Sequence, residues 1–62
     1  MDITAKQELA RIARFVRAHP GHYAGHHSRG VVIQIEAIQD GEMWIEYQTV
    51  WTMEGAREAL GY

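Results

Sequence analysis

A chain of 62 residues, with 47% apolar residues, no cysteine and a formal net charge of −2, has room for one small domain. Its core is limited, because a chain of this length buries only about 60% of the surface that it exposes when unfolded. The lack of cysteine excludes disulfides and cysteine-ligated zinc or iron–sulfur sites. We therefore expect residues 1–62 to form a single domain that needs a tight core, self-association or a partner for its stability.

The first predicted element is a helix over about residues 4–18. Its apolar residues recur at helical spacing and form one narrow stripe: Ala5, Leu9, Ile12, Ala13 and Val16. Thr4, followed by Gln7, fits a capping box at its start, with Asp2 as the alternative cap. His19 precedes Pro20, and residues before proline avoid helical geometry, so the helix is expected to end near Ala18.

Residues 19–30 follow as a predicted loop rich in histidine and glycine. The loop is long for a compact domain, which favours a functional role. Four imidazoles lie within nine residues and offer a weak alternative function, metal binding: His19, His22, His26 and His27. Structural zinc sites usually draw ligands from more than one rigid element. We therefore predict no bound cofactor and place a metal site third among the functions considered.

The spacing then changes to alternation, which predicts two β-strands over about 31–38 and 42–51. Asp40-Gly41 marks the turn between them. Two registers are open: a two-residue loop that places Ile35 opposite Glu46, and a three-residue loop, 39–41, that places Ile35 opposite Ile45. The three-residue loop with a bulge at Gly41 collects the apolar side chains on one face, and on that ground it is the preferred prediction.

A short second helix is predicted over about 53–60. Thr52 is its expected cap, and Met53, Ala56 and Leu60 share a face. Gly61 is placed to end it in a left-handed conformation. The predicted fold is therefore a small α+β domain of helix–hairpin–helix order (α-β-β-α), with a two-stranded antiparallel sheet packed on the helices. Two copies of such a hairpin would make a four-stranded sheet across a dimer.

Charge is distributed unevenly along the chain. Residues 1–30 carry five basic and two acidic residues, a charge of +3, and residues 31–62 carry one basic and six acidic residues, a charge of −5. Basic side chains lie on the helix away from its apolar stripe, joined by one from the loop: Lys6, Arg11, Arg14, Arg17 and Arg29. This face would contact phosphates in the alternative function, a small nucleic-acid-binding regulator.

The leading hypothesis is a cytoplasmic, non-enzymatic protein-binding module that regulates or inhibits a larger machine encoded by a phage, a plasmid or the host. Neither a membrane-spanning stretch nor a secretory signal is recognised, and no catalytic residue is assigned. The expected interaction surface is the second face of the hairpin, centred on tryptophan: Trp44, Val32, Ile38, Glu36 and Glu46. Two open strand edges favour a homodimer. The partner protein is not indicated by the sequence.

Overall fold

The computed structural model describes residues 3–62, with the side chain of Ile3 excepted, and shows two α-helices and a three-stranded antiparallel sheet in that range. In chain order the elements are α1 (Ile3–Arg17), β1 (Tyr23–His27), β2 (Gly30–Gln39), β3 (Glu42–Val50) and α2 (Met53–Ala59). β2 is the central strand, and β1 and β3 form the two edges. This is a small α+β fold, as predicted, but its sheet has three strands where the sequence predicted two. In the described part of the chain, neither helix has the length and apolar character needed to cross a membrane.

The helix α1 buries most of the stripe that its spacing predicts, whereas Ala5 in its first turn is exposed. Ile12, Ala13 and Val16 are fully or almost fully buried, and Leu9 and Phe15 pack beside them. The predicted cap is wrong, because the helix already includes Ile3 and so places Thr4 within its first turn. The alternative cap, Asp2, lies outside the described residues.

The strand β1 is the main correction to the predicted fold, since it lies inside the segment expected to be a loop. It pairs antiparallel with β2 from Tyr23 opposite Ile33 to His27 opposite Gly30, with a bulge before Gly25. The turn between them is closed by a side chain, because the backbone N–H of Arg29 donates to Nδ1 of His27 at 3.1 Å. Short strands of mixed polarity show no clear alternation, so the pairing with β2 determines this one.

The register of the second hairpin is also corrected. Gln39 lies opposite Glu42, which leaves Asp40 and Gly41 as a two-residue loop and places Ile35 opposite Glu46. Both loop residues have positive φ, 54° and 80°. This conformation is the type I′ turn, whose twist matches that of the two strands. The predicted three-residue loop is therefore wrong, because local turn geometry determines the register here and segregation of apolar side chains does not.

The observed register gives the sheet two distinct faces. We call inner the face that contacts the helices and outer the opposite one. The inner face carries the odd-numbered residues of β2 and the even-numbered residues of β3, and the outer face carries the rest. Val31, Ile33 and Val50 are buried on the inner face, where they form the core with α1 and with Ala56 of α2.

The helix α2 begins and ends as its sequence predicts. Thr52 is the N-cap, and its hydroxyl accepts a hydrogen bond from the N–H of Gly55 at 2.9 Å. At the other end Gly61 has a φ of 89°, and the N–H groups of Gly61 and Tyr62 donate to the carbonyls of Glu58 and Arg57. These two bonds constitute a Schellman motif.

Candidate protein-interaction surface

The molecule is elongated, with principal extents of 44, 19 and 17 Å and a radius of gyration of 12.4 Å. A compact chain of 62 residues has a radius of gyration of about 10.6 Å. The accessible surface is 4698 Å², against about 4,100 Å² for a typical folded monomer of this mass. The molecule therefore exposes about 600 Å² more than its size requires.

Most of the exposed large apolar side chains of the described residues lie on the far half of the second hairpin, with Trp51 and Tyr62 elsewhere. Burial along β2 falls from Val31 and Ile33, which are fully buried, to Ile38, which is 73% exposed. In β3, Val50 is buried and every preceding residue is exposed. Residues 36–47, which we call the hairpin arm, therefore extend past the cover that the two helices provide.

The outer face of the arm carries large apolar side chains in a row along β3. Met43, Ile45 and Tyr47 alternate with inner-face residues and are 61%, 41% and 65% exposed. Ile38 lies directly opposite Met43 and widens the row. Contiguous apolar surface of this kind marks an interaction site more often than scattered exposed residues do. We call Met43, Ile45 and Tyr47 the β3 stripe.

The inner face of the arm is different in character. Trp44 lies opposite Ala37 and remains partly exposed, because the helices end short of it. Its indole Nε1–H donates to Oε1 of Glu46 at 2.9 Å, two residues further along the same strand. This hydrogen bond satisfies the polar end of the ring and holds it along the strand.

The structure divides the interaction residues expected from the sequence between the two faces. Val32, Glu36 and Ile38 lie on the outer face, whereas Trp44 and Glu46 lie on the inner face. The expected single surface centred on Trp44 is therefore wrong in its geometry. The error follows from the register, since a slip of one residue moves every side chain of a strand to the other face.

The β3 stripe was missed for the same reason. Its three residues show strict alternation in the sequence, which is a sufficient signal for a strand face. The preferred register assigned that face to the core. The two-residue loop, had it been preferred, would have placed the stripe on the outer face.

The strand β3 also offers a free backbone edge. Residues flanking a two-residue hairpin loop exchange both of their hydrogen bonds, so Glu42 and the other even-numbered residues of β3 bond to β2. The odd-numbered residues, including the β3 stripe, point their N–H and C=O groups away from β2. Since β3 is an edge strand of the described sheet, these groups are available for pairing with another strand.

The arm is acidic as well as apolar. Residues 36–47 include no lysine or arginine and carry four carboxylates, a charge of −4: Glu36, Asp40, Glu42 and Glu46. The helix α1 carries four basic residues and Glu8, a charge of +3. The molecule thus has a basic body and an acidic arm.

The expected arginine face is exposed on α1, but two of its members already have partners. Arg11 forms an ion pair with Glu8 at 3.0 Å. Arg17 lies 4.5 Å over the ring of Tyr23 and donates to its hydroxyl at 3.1 Å. Lys6 borders a shallow cleft formed with β1 and the turn that follows it.

The four histidines are held by four separate sets of contacts. His19 bonds through Nδ1 to the carbonyl of Phe15 at 2.8 Å and through Nε2 to the hydroxyl of Tyr62 at 2.6 Å. Nδ1 of His22 bonds to the carbonyl of Gln34. His26 contacts Tyr23, and His27 accepts from the following turn. Within residues 3–62, no three histidine, aspartate or glutamate side chains are grouped closely enough to hold a metal ion.

Comparison with family models, with curated proteins and with solved structures finds no match for this chain.

Proposed function

We propose that this protein is a non-enzymatic protein-binding module that contacts other proteins through its hairpin arm, as a regulator or inhibitor of a larger assembly. The observation that carries the proposal is the β3 stripe, which combines three exposed apolar side chains with a free strand edge. Strand addition at such an edge is a recurrent mode of protein recognition, in which backbone hydrogen bonds supply affinity and alternate side chains supply specificity.

The charge of the arm supports a protein partner over a nucleic acid. Within residues 3–62 the arm holds most of the exposed large apolar side chains, and its charge of −4 repels phosphate. In the alternative, the arginine face of α1 would bind nucleic acid, but Arg11 and Arg17 would first have to leave Glu8 and Tyr23. The arm therefore supports a function in protein binding more strongly than α1 supports one in nucleic-acid binding.

Site-specific photo-crosslinking tests the proposal. A benzophenone amino acid replaces Tyr47 in one variant and Tyr62 in the other, since both tyrosines are largely exposed, at 65% and 71%, and only Tyr47 lies on the arm. We expect protein adducts from position 47 in the source cell, and few or none from position 62.

Equal adduct patterns from both positions would contradict the proposal, because they would show that the arm has no preference for a partner. Adducts with nucleic acid from position 47 would contradict it as well.

A further inference from the structure

We infer that the arm binds a second copy of this chain: β3 pairs antiparallel with β3 of the second copy, about a two-fold axis that passes beside Ile45. The inference deepens the proposed function, on which it rests, by naming the occupant of the free edge. Joining the two edges produces one continuous six-stranded sheet with the helices of both copies on the same side.

Symmetry limits the registers that such a pair can adopt. A two-fold axis normal to the sheet keeps both inner faces on one side, so odd-numbered residues of β3 oppose odd-numbered residues and even-numbered residues oppose even-numbered ones. The odd-numbered residues are also those whose backbone groups point outward. The axis therefore passes beside one residue of β3, near its midpoint at Glu46. An axis beside Gln48 would place Met43 opposite residue 53, which belongs to α2. The candidates are then positions 44, 45, 46 and 47.

Like charges exclude two of these four registers. An axis beside Glu46 places that carboxylate directly opposite its own copy. An axis beside Trp44 places Glu42 opposite Glu46 of the second copy, and it does so twice. Like charges directly opposite each other destabilise a strand pair.

The two remaining registers differ in their apolar contacts. With the axis beside Tyr47, Ile45 faces Thr49 of the second copy. With the axis beside Ile45, the Ile45 side chains of the two copies face each other. Met43 of each copy then faces Tyr47 of the other. The second arrangement joins the two β3 stripes into one band of six apolar side chains on the outer face, including two favourable contacts of sulfur with an aromatic ring.

The contacts on the inner face and at the ends of the strands also favour the axis beside Ile45. Trp44 then lies opposite Glu46 of the second copy, so its indole N–H, which donates to Glu46 of its own chain, has a carboxylate of either chain within reach. The two Glu46 carboxylates are diagonal neighbours and not directly opposite each other, which weakens their repulsion. Glu42 faces Gln48, an amide that donates to a carboxylate. Every charged residue of the strand thus has a neutral hydrogen-bonding neighbour.

The area available to a dimer of this kind is limited. Each copy exposes about 600 Å² beyond the surface expected for its mass, and standard interfaces bury about 800 Å² on each partner. The interface is thus at the small end of the specific range, and we expect a dimer that dissociates on dilution.

Two matched lysine substitutions test whether the edge forms the contact. Ile45→Lys places two ammonium groups opposite each other at the axis, and we expect it to raise the dimer Kd more than about 100-fold. Ile38→Lys introduces the same charge on the same face, but on the central strand β2. We expect that variant to change the Kd less than about threefold. Sedimentation equilibrium measures the Kd, and circular dichroism establishes that both variants remain folded.

Equal losses from both substitutions would overturn edge pairing, since they would indicate that two outer faces stack on each other. A wild-type chain that stays monomeric up to millimolar concentration would overturn it as well. In that case a different protein crosslinked at position 47 would leave the proposed function standing. Equal crosslinks at positions 47 and 62 would contradict both proposals, because the inferred dimer has only position 47 at its interface.

Spin labels test the register and leave Ile45 unchanged. The chain has no cysteine of its own, so a single introduced cysteine carries the only label on each copy. With the axis beside Ile45, the two Met43→Cys labels are four residues apart along the strand, about 13 Å, and the two Thr49→Cys labels are eight apart, about 26 Å. With the axis beside Tyr47 the two distances are exchanged. A short distance at position 43 supports the inferred register, and a short distance at position 49 overturns it.

Discussion

Among single residues, Gly30 shows most directly how closely the backbone packs at the base of the second hairpin. A Cβ at this position would lie 2.5 Å from the carbonyl oxygen of Val50 and 2.8 Å from Cγ2 of Thr49. Real Cβ atoms do not approach a backbone oxygen so closely, and the strand cannot move away, because Val50 is part of the core. Only glycine fits where β2 begins.

We expect Gly30→Ala to lower the free energy of unfolding by about 2–3 kcal/mol, the usual cost of forcing an added methyl group into a packed site. The control is Gly41→Ala. A Cβ added at position 41 would meet open space, but the backbone there has a φ of 80°. It should cost about 1 kcal/mol, from the left-handed backbone alone. Urea denaturation measures both. Equal losses would contradict the steric explanation.

At the scale of elements, the sequence predicts the helices better than the sheet. The apolar stripe of α1 and the cap of α2 depend on contacts within a few residues, and both were predicted correctly apart from the first turn of α1. The strand β1 is only two residues from β2, but its sequence, YAGHH, has no apolar–polar alternation and its pairing is interrupted by a bulge before Gly25. The local pattern therefore predicts a loop.

The candidate site was recovered only in part for a related reason. The preferred register assumed that the whole hairpin lies over the core, where a mixed face would be unfavourable. The helices cover only its base, around Ile33 and Val50. On the arm both faces meet solvent, so burial does not select a register there and the type I′ turn at Asp40-Gly41 decides it.

The uneven cover of the second hairpin predicts uneven stability along its length. Amide hydrogen exchange at a concentration where the chain is monomeric should be slowest near Ile33 and Val50, and should be faster by at least about tenfold near Ala37 and Trp44. All four amides belong to the same strand pair, so a difference reports local opening of the arm. NMR-detected exchange provides the measurement. Uniform protection along both strands would show that the hairpin opens only as a whole.

For the whole molecule, the separation of charge predicts how salt affects self-association. In the antiparallel dimer inferred above, the axis beside Ile45 places residues 42–47 of one arm beside residues 43–48 of the other. Glu42 and Glu46 of both copies therefore lie in one strand pair, although no carboxylate is directly opposite another. The helix α2, which follows β3, has a charge of −1 and adds no attraction. The net electrostatic interaction between the two acidic arms is therefore repulsive.

Salt screens this repulsion. We therefore expect the Kd to fall about threefold as the ionic strength increases from about 0.05 M to about 0.5 M. Sedimentation equilibrium at matched pH measures the change. The variant Arg14→Ala, which removes one exposed charge from α1 and none from the arms, should leave the dimer and its salt dependence nearly unchanged. A Kd that rises with salt would contradict the inferred register, because acidic arms lying side by side gain from screening.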